Sequence, residues 1–157
     1  MNLNKNQIIK IVFSCVAIIL TAVLGSVFVN VGMGWFNGLN KPSQWIPNVL
    51  IPIVWTVIYL SFAVVNFLWI KQEENLPTKT MVLMIINAVL NVLWCLIFFT
   101  LKQLFIGNIF IILNLIFGFA LVINILKQKP LYAYILSIYP IWLSIATTLN
   151  LALWILN

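Results

Sequence analysis

Histidine and arginine are absent from the sequence, and its only acidic residues are Glu73 and Glu74. Without histidine there is no imidazole acid–base chemistry, no histidine haem ligand and no histidine metal site. The two cysteines, Cys15 and Cys95, lie far apart in apolar runs, so neither a disulfide framework nor a CxxC redox motif is present. Charge itself is scarce. Only 6% of the 157 residues are charged, against about 25% in an average soluble domain, and 64% are hydrophobic. So few charges cannot cover a water-facing surface, which excludes a soluble globule, and the hydrophobicity excludes disorder. No cofactor, metal or nucleic-acid partner is expected.

The charges that remain divide the chain. Lys5, Lys10, Lys41, Lys71, Glu73, Glu74, Lys79, Lys102, Lys127 and Lys129 bound five uncharged stretches: Ile11–Asn40, Pro42–Ile70, Thr80–Leu101, Gln103–Leu126 and Pro130–Asn157. A hydrocarbon core of roughly 30 Å takes about 20 helical residues, so each stretch holds one span and none holds two. The runs do not alternate in–out as membrane strands must. The expected fold is an all-α membrane protein, a five-transmembrane-helix bundle in one up–down domain. The expected spans are about 8–30, 47–70, 80–101, 104–126 and 131–155. A lid loop is expected over 31–46.

Lysine counting orients the bundle. Lys5, Lys10, Lys71, Lys79, Lys127 and Lys129 lie on the N-terminal side, while only Lys41 and Lys102 lie on the other. The positive-inside rule then places the N-terminus inside and the C-terminus outside. No A-x-A-like site follows the first apolar run, so it reads as an uncleaved span.

No ionisable acid or base occupies the middle of any span. Ion-coupled transporters and pumps keep such residues at membrane depth, so neither is expected. Trp, Tyr, Asn, Ser and Thr remain, a set suited to a flat apolar molecule with a few polar edges. They are spaced as helix faces. The second span carries Pro52, Trp55, Tyr59, Phe62, Asn66 and Trp69. The third carries Met84, Asn87, Asn91, Trp94 and Phe98, and the fifth Tyr139, Trp142, Ala146 and Asn150. The first carries Ser14, Ile18, Thr21, Gly25, Phe28 and Gly32, and the fourth Gly107, Ile111, Asn114, Gly118 and Leu121. Such stripes serve either a ligand or helix–helix packing, and spacing leaves both open.

Depth separates some of them. At 1.5 Å per residue, Trp55 lies about 12 Å, Trp94 about 10 Å and Trp142 about 18 Å inside the outer ends of their helices. Belt tryptophans sit at headgroup level, a reading that fits Trp69 and Trp154 but not Trp55 or Trp142. The deep rings, with Asn91 among them, suggest a cavity opening outward. Over it would lie the first loop, punctuated by glycine and proline and carrying Trp35, Phe36 and Trp45 as amphipathic anchors. The alternative is a loop that rests on lipid. Gly34-x-x-x-Gly38 matches a helix-packing pattern but falls in this expected loop.

Three blocks resemble a known family. Trp35 with Lys41-Pro42-Ser43, Pro47 and Trp55 form the first, Leu90-Asn91-x-x-Trp94 with Phe98-Phe99 the second, and Trp142-x-x-x-Ala146-x-x-Leu149-Asn150 the third. Together, over essentially the whole chain, they resemble the tryptophan-rich sensory protein or translocator protein family. The resemblance implies a five-helix bundle, often a homodimer, in the lipid bilayer, here of a bacterial cytoplasmic membrane. It also implies a pocket beneath the first loop for porphyrins and related planar hydrophobic ligands, formed by Phe36, Pro42, Trp55, Asn91, Trp94, Trp142 and Ala146. Light- and oxygen-dependent degradation of protoporphyrin IX, proposed for the family, would involve Trp55 and Trp142 as the catalytic residues. The chain departs from the family in having Asn48 after Pro47, where paired prolines are common. It also lacks any Lys or Arg after Lys129, where the sterol-recognition motif of animal members needs one. A tetrapyrrole receptor or carrier is the leading expectation. A porphyrin-degrading enzyme and a passive transporter of lipophilic metabolites are the alternatives.

Overall fold

The computed structural model describes residues 3–43, 46–73 and 75–157, with Glu73 described by its backbone alone. Trp45, expected to anchor the lid, lies outside the described residues. Helices α1 (Lys5–Asn37), α2 (Leu50–Glu73) and α3 (Thr78–Cys95) are followed by a π-helical turn over Leu96–Thr100. Then come α4 (Leu104–Leu126), α5 (Pro130–Leu136) and α6 (Ile138–Leu156), the last two making one interrupted span. Five helices are long and apolar enough to cross a membrane, and no strand occurs among the described residues. A helix satisfies its own backbone groups where water is absent, which is why such apolar runs take this form in lipid.

Helix α1 starts with a capping box. The Asn4 side chain accepts from the Gln7 backbone N–H at 2.8 Å, and the Asn4 N–H donates to the Gln7 side chain at 3.0 Å. Gln7 also donates to the Ile70 and Lys71 carbonyls, tying this end of α1 to the end of α2. At its far end α1 runs to Asn37, so the lid loop expected over 31–46 begins only at Gly38. The reason lies at Gly32. It packs so closely on the backbone of Phe99 that any Cβ would meet the Phe99 carbonyl. The glycine serves close packing of a continuing helix rather than a turn. Thr100 reinforces the contact by donating to the Phe28 carbonyl at 3.0 Å. Gly34 of the glycine pair is helical, but a Cβ there would meet nothing within 4 Å among the described residues, so the pattern makes no helix contact within this chain.

The π-helical turn has a clear effect. The Leu101 N–H reaches back five residues to the Leu96 carbonyl at 2.9 Å. Neighbours on an α-helix point about 100° apart. With the extra residue in this turn, Phe98 and Phe99 are both buried. Lys102, at φ 57°, then turns the chain tightly into α4. The break between α5 and α6 follows from Pro140. Proline has no N–H for the Leu136 carbonyl and crowds it, so the helix breaks at Ser137. The Ser137 hydroxyl donates to the Tyr134 carbonyl at 2.7 Å.

Two apolar cores stack along the bundle. One, beneath the first loop, gathers Phe36, Trp94, Phe98, Phe99, Trp142 and Leu143. The other, at the N-terminal end, gathers Val65, Trp69, Leu121, Ile125, Tyr132 and Leu136. Trp69 is therefore not a belt residue. It is fully buried, its ring 5.5 Å from that of Tyr132, because it shares the inward face of α2 with Val65 and Asn66. Trp154, 43% exposed, packs on Phe105 at the surface. Part of the polar stripe bonds helices together. The Tyr139 hydroxyl donates to Asn114 Oδ1 at 2.8 Å, Asn124 Nδ2 to Thr80 at 2.9 Å, and Asn87 Nδ2 to the Phe117 carbonyl at 3.1 Å.

Candidate ligand site

Beneath the first loop, α1 contributes Phe36, α2 Trp55, α3 Trp94, and α6 Trp142 and Ala146. All five line one small pocket of about 50 Å³. The rings pack on one another. Trp55 and Trp94 stack at 6.3 Å with planes 28° apart, and Phe36 lies 5.2 Å from Phe99. Trp94 Nε1 faces Asn150 Oδ1 at 3.4 Å, while the buried Trp142 Nε1 has no hydrogen-bond partner. An indole N–H without a partner beside a pocket is a donor available to a ligand acceptor.

Two of the expected residues are placed elsewhere. Pro42 is half-buried in the loop and is not among the described residues of the pocket wall. Asn91 faces away from the pocket toward Tyr59, donating to its hydroxyl at 3.0 Å. The loop over the pocket is held by polar contacts. The Asn40 N–H donates to Asn157 Oδ1 at 2.9 Å, and Asn157 Nδ2 returns a bond to the Asn40 carbonyl at 3.0 Å. Lys41 reaches back to the Phe36 carbonyl at 3.1 Å, capping the end of α1, and sits 4.9 Å over the Phe36 ring. A cation there suits the negative end of the helix dipole.

A second and much larger space, about 620 Å³, lies between α1, α2 and α3 toward the N-terminal end. Asn91 and Tyr59 lie on its wall, as do Ser14, Ile18 and Thr21 of α1, Asn66 of α2 and Met84 and Asn87 of α3. Trp55 belongs to both walls. The sequence stripes contain these residues, but a stripe carries no sign of the gap to the next helix. Phe98, Phe99, Ile51 and Leu149 also line the smaller pocket without having been singled out for it. Among the described residues no group of three or more Cys, Asp or Glu could hold a metal.

A model of the TspO/MBR family matches residues 12–155. The chain belongs to this family. It is 32% identical to the translocator protein of Homo sapiens over 137 residues, covering 83% of this chain and 80% of that one. It is 29% identical to the tryptophan-rich protein TspO of Archaeoglobus fulgidus over 153 residues, 96% of this chain and 99% of the relative. Protein CrtK of Rhodobacter capsulatus is 29% identical over 125 residues, 78% of each chain. The TspO/MBR match reaches every helix that contributes to either space, beginning within α1 and ending within α6.

Proposed function

We propose that this protein is a membrane receptor or carrier that binds porphyrins and similar planar hydrophobic molecules, with Trp55, Trp94 and Trp142 as the stacking surfaces. The supporting observation is that these three indoles, on three helices, converge with Phe36 and Ala146 on one pocket under the first loop. At about 50 Å³ the pocket is too small for such a ligand as it stands, since sites for drug-sized ligands are about 300–1,000 Å³. Ligand binding would therefore part the Asn40–Asn157 clamp and lift Lys41 from Phe36, opening the pocket from the loop side. Asn91 would act from the far side of Trp55, through Tyr59. The proposal includes a homodimer, and a topology with the N-terminus inside and the C-terminus outside, from the lysine split.

Titrating protoporphyrin IX into the purified protein, first in the dark and then under light, tests this reading. Saturable quenching of tryptophan fluorescence, stable in the dark and under light, is the expected result. The absence of saturable binding refutes the receptor. Light-dependent loss of the porphyrin spectrum beyond that in protein-free detergent would instead favour a degrading enzyme using Trp55 and Trp142.

A further inference from the structure

The larger space between α1, α2 and α3 carries a polar pattern that the porphyrin reading does not use. Three carboxamide oxygens on its walls are buried without any hydrogen-bond partner: Asn66 Oδ1, Asn87 Oδ1 and Asn91 Oδ1. All three residues are more than nine-tenths buried. Their amide nitrogens are already committed, to the Ser14 hydroxyl at 2.7 Å, to the Leu83 and Phe117 carbonyls, and to the Tyr59 hydroxyl at 3.0 Å. The two carbonyls fix the Asn87 amide with its oxygen as the unused end; Asn66 and Asn91 pair with hydroxyls, and as placed their oxygens are the unused ends too. Asn87 and Asn91 are one helical turn apart, about 6 Å along α3. A buried acceptor without a partner carries its full desolvation cost, and three around one cavity are a pattern that calls for a donor.

The opposite wall is largely apolar, with Ser14 and Thr21 among its α1 residues. Ile9, Phe13 and Ala17 of α1 line the cavity and are also exposed on the outer surface, as are Met81 and Ile85 of α3. In a membrane these residues meet hydrocarbon, so the cavity communicates with the bilayer between α1 and α3. Among the described residues no acidic side chain lies on its wall, and Lys10 stands at its mouth with its ammonium on Asn75 Oδ1 at 2.6 Å. The Lys10 ammonium at the mouth favours an uncharged donor over a cation.

We propose that this cavity is a second ligand site, distinct from the pocket under the first loop, that takes a neutral amphiphile from the bilayer. Its apolar chain lies against α1, and its hydroxyl or N–H donors bond the Asn66, Asn87 and Asn91 oxygens. The volume, about 620 Å³, falls within the range for drug-sized ligands. Ligand donors are favoured because the unpartnered amide atoms of the wall are all oxygens, while the Ser14 and Tyr59 hydroxyls on the same wall keep a proton each for a ligand acceptor.

The test compares tritiated 1,2-dodecanediol with 1,2-dimethoxydodecane, which has the same chain and no donors. Binding is measured by equilibrium dialysis to the protein in lipid nanodiscs, against empty nanodiscs. The diol should bind saturably and about tenfold or more tighter than the diether. Asn66→Leu combined with Ser14→Ala removes one acceptor together with the hydroxyl that its amide bonds, so no donor is left unpaired. This variant should reduce the diol preference in part, because Asn87 and Asn91 remain as acceptors, and leave diether binding unchanged. Ala17→Trp, on the exposed side of α1, fills the cavity without touching the asparagines and should abolish binding of both. Equal affinity for diol and diether, binding no greater than to empty nanodiscs, or full diol binding by Ala17→Trp would each overturn the proposal. Porphyrin titration is read separately, so failure of this site is distinguishable from failure of the pocket under the first loop.

Discussion

Replacing Gly32 by alanine tests the close contact that sets the end of α1. The added Cβ would fall on the Phe99 carbonyl, and backbone cannot rotate aside as a side chain can. Overpacking a well-packed interior costs about 1–3 kcal/mol, and a backbone collision belongs at about the upper limit. Alanine returns about 1 kcal/mol of helix propensity over glycine. The net loss for Gly32→Ala is then about 2 kcal/mol. Gly34→Ala is the internal comparison, because a Cβ there meets nothing within 4 Å. It should keep only the propensity gain, about 1 kcal/mol at most. The two variants, two residues apart in one helix, should therefore differ by about 3 kcal/mol in reversible unfolding in a common detergent or bilayer. The same displacement carries Phe36 away from Phe99, so protoporphyrin affinity should fall in Gly32→Ala and hold in Gly34→Ala. Equal stability of the two variants would refute the close-contact reading of α1.

Trp55→Ala or Trp142→Ala should weaken porphyrin binding about tenfold or more, and the Phe variants less, by fluorescence titration. Trp69→Ala should cost about 3–5 kcal/mol of stability in the same unfolding assay, because the ring is fully buried. Trp154→Phe, on an exposed ring, should change neither stability nor porphyrin affinity and is the fitting control. Asn157→Ala should speed porphyrin association in stopped-flow fluorescence, because both clamp bonds run from the Asn157 side chain to the Asn40 backbone. Cysteine introduced at Lys5 should be protected from a membrane-impermeant thiol reagent in intact cells, and cysteine at Asn157 should be labelled. The opposite pattern would overturn the lysine-based topology.

The helices were legible because lysines bound every apolar stretch and hydrocarbon leaves such stretches one good backbone solution. Face periodicity was also legible. The α4 stripe of Gly107, Ile111, Asn114, Gly118 and Leu121 is buried throughout, as is Tyr139–Trp142–Ala146–Asn150 on α6. Other features depended on partners that no local pattern displays. Gly32 resembles a turn residue until Phe99 is seen beside it. Depth along α2 suggested a belt position for Trp69, but its direction, inward beside Tyr132, decides its burial. The π-helical turn that buries adjacent Phe98 and Phe99 has no sequence mark. Asn91 shared a stripe with Trp94, yet the two sit on opposite sides of Trp55, since a stripe three or four residues wide spans two compartments. The larger cavity is a gap between three helices, and a stripe reports what lines a face, not how far the next helix stands from it.

Trp55 has a consequence as the wall common to both spaces. One indole, attached through two side-chain torsions, is the partition between a compartment of about 50 Å³ and one of about 620 Å³. Any occupant that tilts the ring takes volume from one side and gives it to the other. The free energy of that exchange has a single value whichever occupant arrives first. Each therefore changes the other's affinity by the same factor, and the sign depends on which way the ring leans.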